Sequence, residues 1–227
     1  MPHNFPVAKA AISILSASLV MVLSAAPAGA APAIVVSTVP SPGGTLKSVT
    51  CPTTEWCAAI GRSTLFEGSG GDWTGTVAPV PSDAGTVVSE SVLSVSCAAV
   101  NACVAVGFYG SNIDHGAIFT LSGGTWTAIT APLPPGVSLS TAEGNEGGVL
   151  SSVSCPVVGS CESVGYYTDE LGHTQGWLLA QSGDTWSATQ AAVPLGANVD
   201  PDELMGEIVC PGEGSCAAIG SYEDPNT

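Results

Sequence analysis

Four cysteine pairs of identical spacing limit this chain more than any other feature. Cys51/Cys57, Cys97/Cys103, Cys155/Cys161 and Cys210/Cys216 all obey C-x5-C and recur at intervals of roughly 50 residues. Each pair follows an apolar–polar alternation, "LKSVTC", "LSVSC", "LSSVSC" or "GEIVC". Each is followed by another that ends in glycine, "CAAIG", "CVAVG", "CESVG" or "CAAIG". Alternation over five or six residues is the period of a half-buried strand. Two such strands joined by five residues containing Pro, Gly, Ser or Asn predict a hairpin. Cysteines at the two ends of that connection face each other within bridging distance. C-x5-C is neither a common zinc spacing nor the C-x-x-C of redox enzymes, so the pattern predicts four local disulfides and neither a metal nor a cofactor.

A second signature stands at a fixed place in three of the four units. "SGGDW" (69–73), "SGGTW" (122–126) and "SGDTW" (182–186) each join an apolar strand to a Thr-rich one. The glycines supply the positive φ angles of a tight hairpin, and a Pro-containing exit ends the strand that begins with Trp. Each unit thus reads as four antiparallel strands. The predicted fold is all-β and β-propeller-like, with about four repeated four-stranded blades, the last incomplete, and hairpins stapled by disulfides. The units cover about 46–81, 92–134, 150–194 and 205–227 of a single domain, 31–227. The segment "AIVVSTVP" (33–40) is expected to close the last blade, leaving strand 216–222 as an open edge suited to self-association.

These units resemble the C-x5-C…SG-x-x-W repeats of secreted bacterial β-propeller-like proteins of uncharacterised function. "SGDTW" is similar to a shortened Asp-box turn of sialidase-type propellers, with Asp184 near the Asp position. The resemblance implies the fold and a structural role for that turn. It does not extend to sialidase chemistry, which needs an arginine cluster, whereas Arg62 is the one arginine of the chain.

The first thirty residues read as a signal peptide. Lys9 precedes an apolar run at 10–26, and "AGA" at 28–30 places small residues before a cleavage point. The expected location is secreted, extracellular or cell-envelope, which suits disulfides. Beyond residue 30 only Lys47 and Arg62 are basic, against 19 carboxylates. Such a chain repels phosphate backbones and anionic bilayers, so neither nucleic acid nor, after cleavage, a membrane is an expected partner.

Chemistry-bearing side chains are sparse. His115 stands beside Asp114, and His173 near Asp169 and Glu170, in loops between second and third strands. Tyr109, Tyr167 and Tyr222 recur two residues after the glycine that ends each second strand. These eight are the candidate rim contacts, and Asp200, Asp202 and Glu203 add oxygen donors of the calcium type. None forms a convergent catalytic set. The leading expectation is a non-enzymatic recognition or scaffold module for an extracellular glycan or protein. The alternative is a glycoside hydrolase or lyase that uses the loop carboxylates and histidine.

Overall fold

The computed structural model describes residues 45–69, 71–85, 89–140, 147–193, 197 and 202–223, and the backbone of two strands at 18–23 and 34–39. The cleavage point falls outside these residues. Strands β1 (Ser18–Leu23) and β2 (Ile34–Val39) pair with each other. Sheet one contains β3 (Ser48–Thr50), β4 (Trp56–Ile60), β5 (Thr64–Ser69) and β6 (Asp72–Val77). Sheet two contains β7 (Ser89–Ala99), β8 (Ala102–Gly110), β9 (Asp114–Ser122) and β10 (Thr125–Thr130). Sheet three contains β11 (Gly148–Val157), β12 (Ser160–Thr168), β13 (Thr174–Ser182) and β14 (Thr185–Gln190). Sheet four has β15 (Leu204–Gly212) and β16 (Ser215–Ser221).

Every sheet is an antiparallel meander, and the first strands β3, β7, β11 and β15 are neighbours from one sheet to the next. The chain is therefore all-β and β-propeller-like, with repeated blades of which the fourth has two described strands. β2, expected to close the last blade, pairs with β1 inside the expected leader and runs near β6.

Period-two alternation decides which side chains meet. Along β8, Cys103, Ala105 and Tyr109 pack toward sheet one, and Val104 and Val106 toward sheet three. On β9, Ala117, Phe119 and Leu121 face the first cluster and Ile118 the second. Along β8 and β9, sheet two is thus buried on both faces. The second cluster is completed by Trp177, only 1% exposed, whose ring meets Tyr167 edge-on at 5.9 Å. Of the SG-x-x-W tryptophans, Trp126 is buried and donates from Nε1 to Glu67 Oε1 of sheet one at 2.9 Å, tying adjacent blades together. Trp73 and Trp186 are half-buried.

All four predicted disulfides are present, Cys51–Cys57, Cys97–Cys103, Cys155–Cys161 and Cys210–Cys216, with Cα atoms 4.0–4.1 Å apart. Three of the connections are tighter than the expected five-residue loops. β7 and β8 run through Cys97 and Cys103 and leave only Val100 and Asn101 as the turn. The same holds at Val158–Gly159 and Glu213–Gly214. Asn101, Gly159 and Gly214 take positive φ, the twist such a short turn requires. A bulge beside each turn absorbs the remaining residue.

The first pair departs from the expectation that both cysteines of a pair end facing strands. β3 stops at Thr50, so exposed Cys51 lies outside the ladder, and the residues from Pro52 to Glu55 stay as a loop in which Trp56 N donates to Thr53 Oγ1 at 3.1 Å. Cys57 stands in β4, where its register partner is Gly68 of β5 and not Cys51. It is also buried, as are Cys103 and Cys161, so these second cysteines belong to the apolar core and are not free rim groups. The physical reason is that the second strand is an inner strand of the blade, covered by its neighbours, whereas Cys51 sits on a connection that water reaches.

A second bulge recurs at the far end of the three tight hairpins. Register shifts lie between Val92 and Ser94, Leu150 and Ser152, and Met205 and Glu207. In each case the residue before the shift pairs with the blade glycine, Gly107, Gly165 or Gly220. Adjacent blades are also stitched through serines. Val153 N and Cys155 N donate to Ser94 Oγ and Ser96 Oγ. Ile208 N and Cys210 N donate in the same way to Ser152 Oγ and Ser154 Oγ.

Candidate functional site

The turns between second and third strands and the linkers between blades gather at one rim. There, between the linker that follows sheet one and the rim of sheet two, lies a cavity of about 460 Å3 lined by Asp83, Tyr109, Asn112, Ile113, His115 and Thr130 among others. That volume is within the range of small-molecule sites. Three elements build it. The antiparallel register of β8 and β9 sets Tyr109 opposite His115, and their rings stack at 5.6 Å. Thr130 ends β10, whose hairpin with β9 is set by Gly123 and Gly124, both at positive φ. Asp83 arrives from the linker between β6 and β7.

A directed hydrogen-bond chain crosses the cavity wall. Thr130 Oγ1 donates to Asp83 Oδ1 at 2.8 Å, and Thr130 also bonds the Tyr109 hydroxyl. A hydroxyl has one proton, so Thr130 must accept from Tyr109 while it donates to Asp83. The charge-assisted bond at the end of this chain fixes the carboxylate. No lysine or arginine lines the cavity. The site therefore favours hydroxyl, amide or amine donors over anions.

At the matching rim of sheet three the side chains bond one another. Tyr167 is opposite Gln175, the position His115 holds in sheet two. Gln175 accepts from Gln190 Nε2 at 2.7 Å and donates toward Asp169 Oδ2 at 3.4 Å. Asp169 Oδ1 accepts from the backbone N–H of Leu171 and His173, which organises the loop. His173 Nδ1 lies 3.9 Å from the same carboxylate. Burial first, then the charges of Asp169 and Glu203, hold the Tyr167 phenol above its ordinary range. Glu203 is buried and accepts from Gly176 N at 3.3 Å, while Asp200 lies outside the described residues.

The eight expected rim residues thus do not converge. Tyr109 and His115 share the cavity. Asp114 pairs with Gly110, bridges to Gly147 and does not line it. Asp169, Glu170 and His173 belong to the sheet-three loop. Tyr167 is buried, and Tyr222 is exposed beyond β16. Asp83, Asn112 and Thr130 were not singled out in the sequence. Thr130 has a signal, since it is the fourth residue after the repeated Trp. Asp83 has none, because only linker packing brings it to the rim.

Among the described residues, no group of three or more His, Cys, Asp or Glu is placed to hold a metal ion, and no helix is long and apolar enough to cross a membrane. No protein-family model matches the chain, and no curated protein matches it. Among solved structures it is similar to "YCF48 bound to D1 peptide", with 16% identity and a TM-score of 0.41 over 81% of this chain. The chain spans 56% of that protein's length.

Proposed function

We propose that this chain is an exported, non-enzymatic recognition or scaffold module, secreted or held in the cell envelope, that takes a polar ligand at the rim cavity. A glycan or a polar protein segment fits the donor preference of that site. One observation carries the reading: the rim of sheet two holds a cavity that presents Asp83 and His115, whereas at the matching positions of sheet three Gln175 bonds Gln190 and Asp169. Four disulfides and all eight cysteines paired fit an oxidising compartment. Removal of residues 1–30 at export takes β1 away from β2. Glycosidase chemistry uses a pair of carboxylates about 5–10 Å apart, and Asp83 is the single carboxylate lining the cavity.

The test is a glycan and peptide array probed with the exported chain and with Asp83→Asn and His115→Ala variants. A specific signal should fall at least tenfold in both variants. Turnover in a glycan or ester panel that disappears with the same substitutions overturns the non-enzymatic reading.

A further inference from the structure

Strand β8 runs from the rim cavity, at Tyr109, to a second and smaller cavity at its other end, at Ala102. This one is about 140 Å3 and lies between sheets two and three, where their cysteine turns meet their Trp turns. Both sheets have all four strands, and the cavity between them is held in shape. Cys155 N donates to Ser96 Oγ at 3.0 Å from sheet to sheet, and Gly183 N donates to Gly159 O at 2.9 Å between the two turns of sheet three. Sites for whole small molecules start at about 300 Å3, so this volume suits a single side chain.

The walls are apolar: Ala98, Val104 and Leu121 on sheet two, and Val158 with the Cys155–Cys161 bridge on sheet three. The polar lining can accept hydrogen bonds throughout. Thr120, Ser122, Gln181 and Asp184 supply it, and no lysine or arginine lines the cavity. Gln181 Oε1 is buried and has no hydrogen-bond partner among the described residues. A buried carbonyl left unpaired costs free energy. The last torsion of a glutamine is soft, so its amide can turn that oxygen toward a donor in the cavity. Asp184 is the residue of "SGDTW" likened to the Asp-box position. Its carboxylate makes no hydrogen bond or ion pair among the described residues, so the turn does not use it.

We propose that this cavity is a socket for a lysine side chain of a partner protein, its alkyl stem against the apolar wall and its ammonium taken by Gln181 and Asp184. An ammonium is compact and carries three donors on a flexible apolar stem, which suits a narrow cavity better than a planar guanidinium does. The formal charge of −16 on the chain favours the approach of a cation and opposes that of a phosphate or sulfate. The mouth points to a protein and not to a free amine. Val158 is 67% exposed there, and Val100 and Val157 are exposed on the same two cysteine turns. Residues flanking the lysine can cover that apolar surface, which a free amine leaves in water. This site lies apart from the rim cavity and does not depend on what binds there.

The probe is a capped Val-Lys-Val peptide titrated into the intact exported chain, with norleucine or arginine in place of lysine as comparisons, read by nuclear magnetic resonance of the nitrogen-labelled protein. The backbone amides of Gly159, Gly183 and Asp184 and the side-chain amide of Gln181 should shift in a saturable way. The amides of Asn112 and Ile113 at the rim should stay still, so the two sites are read separately in one titration. The norleucine peptide should bind at least fivefold more weakly and the arginine peptide at least twofold. Asp184→Asn should weaken lysine binding at least threefold, and so should raising salt from about 0.05 to 0.5 M. Gln181→Leu removes the unpaired buried carbonyl, so the melting temperature should hold or rise while lysine binding falls at least threefold. Norleucine bound as well as lysine, shifts confined to the rim, lysine binding unchanged in Gln181→Leu, or no saturable binding up to about 10 mM peptide each overturns the proposal.

Discussion

Replacing Gly165 by alanine tests whether the bulge beside each blade glycine holds the hairpins as described. A Cβ built on Gly165 would lie 2.0 Å from the Val149 carbonyl oxygen and 2.8 Å from Leu150 Cα. Ordinary contact begins at 3.4 Å, so the bulged strand must retreat by more than 1 Å. The obstruction is backbone on both counts, and no rotamer change relieves it. Overpacking of this kind costs about 1–3 kcal/mol, and the displaced ladder loses a hydrogen bond worth about 1 kcal/mol. The expected loss is therefore about 3 kcal/mol, or roughly 6–12 °C in melting temperature for a domain of this size. Gly61 is the internal control. It ends the same CAAIG-type strand, but β3 is too short to bulge against it, and an added Cβ meets nothing closer than Phe66 Cε2 at 3.5 Å. Gly61→Ala should change stability by less than about 0.5 kcal/mol, helped by the lower entropy of the unfolded chain. Urea unfolding followed by Trp fluorescence, at fixed redox conditions, gives both values. Equal losses for Gly61→Ala and Gly165→Ala would refute the bulge argument, as would a Gly165→Ala protein with unchanged m-value and midpoint.

Mass spectrometry of the exported chain should find four disulfides within the pairs and no free thiol, and Cys155→Ala with Cys161→Ala should cost about 2 kcal/mol on the chain-entropy estimate for so short a loop. Ser152→Ala and Ser154→Ala each leave a backbone N–H of β15 without its acceptor, at about 0.5–1.5 kcal/mol apiece in thermal unfolding. Burial raises the Glu162 carboxyl above its ordinary range, and Glu90 behaves alike. A raised carboxyl contributes stability that is full below the unfolded-state value and lost as pH climbs through the folded one. Glu162→Gln should therefore melt about 1 °C higher at neutral pH and show no gain near pH 3, the small size reflecting a half-buried setting that water still reaches; a gain at pH 3 would contradict the burial argument.

The repeat was legible because its signals are local. Cross-strand cysteines, the Trp turns and the alternation of β8, β9, β12 and β13 each declare themselves within a dozen residues. The bulges were not legible. Leu93, Ser151 and Gly206 are the extra residues of their strands, and nothing in their chemistry separates them from paired neighbours. Three of the cysteine turns were overestimated in length because C-x5-C counts residues between sulfurs, whereas strand pairing continues past them. Only the Cys51–Cys57 connection keeps its loop, since β3 ends before its cysteine. At the rim, Tyr109 and His115 carry their own signal, but the cavity also depends on Asp83, placed by a linker whose path follows from blade packing.

The serine stitches give the row of blades a polarity. Each of the second and third sheets offers hydroxyl acceptors on one flank, which backbone donors of the next sheet fill. An interface of that head-to-tail kind has no intrinsic stopping point. On β15 the corresponding positions are Glu207 and Val209, and neither offers a hydroxyl to a following first strand. The fourth sheet thus donates to its predecessor in the shared pattern but carries a carboxylate and an apolar side chain where the two sheets before it carry hydroxyls.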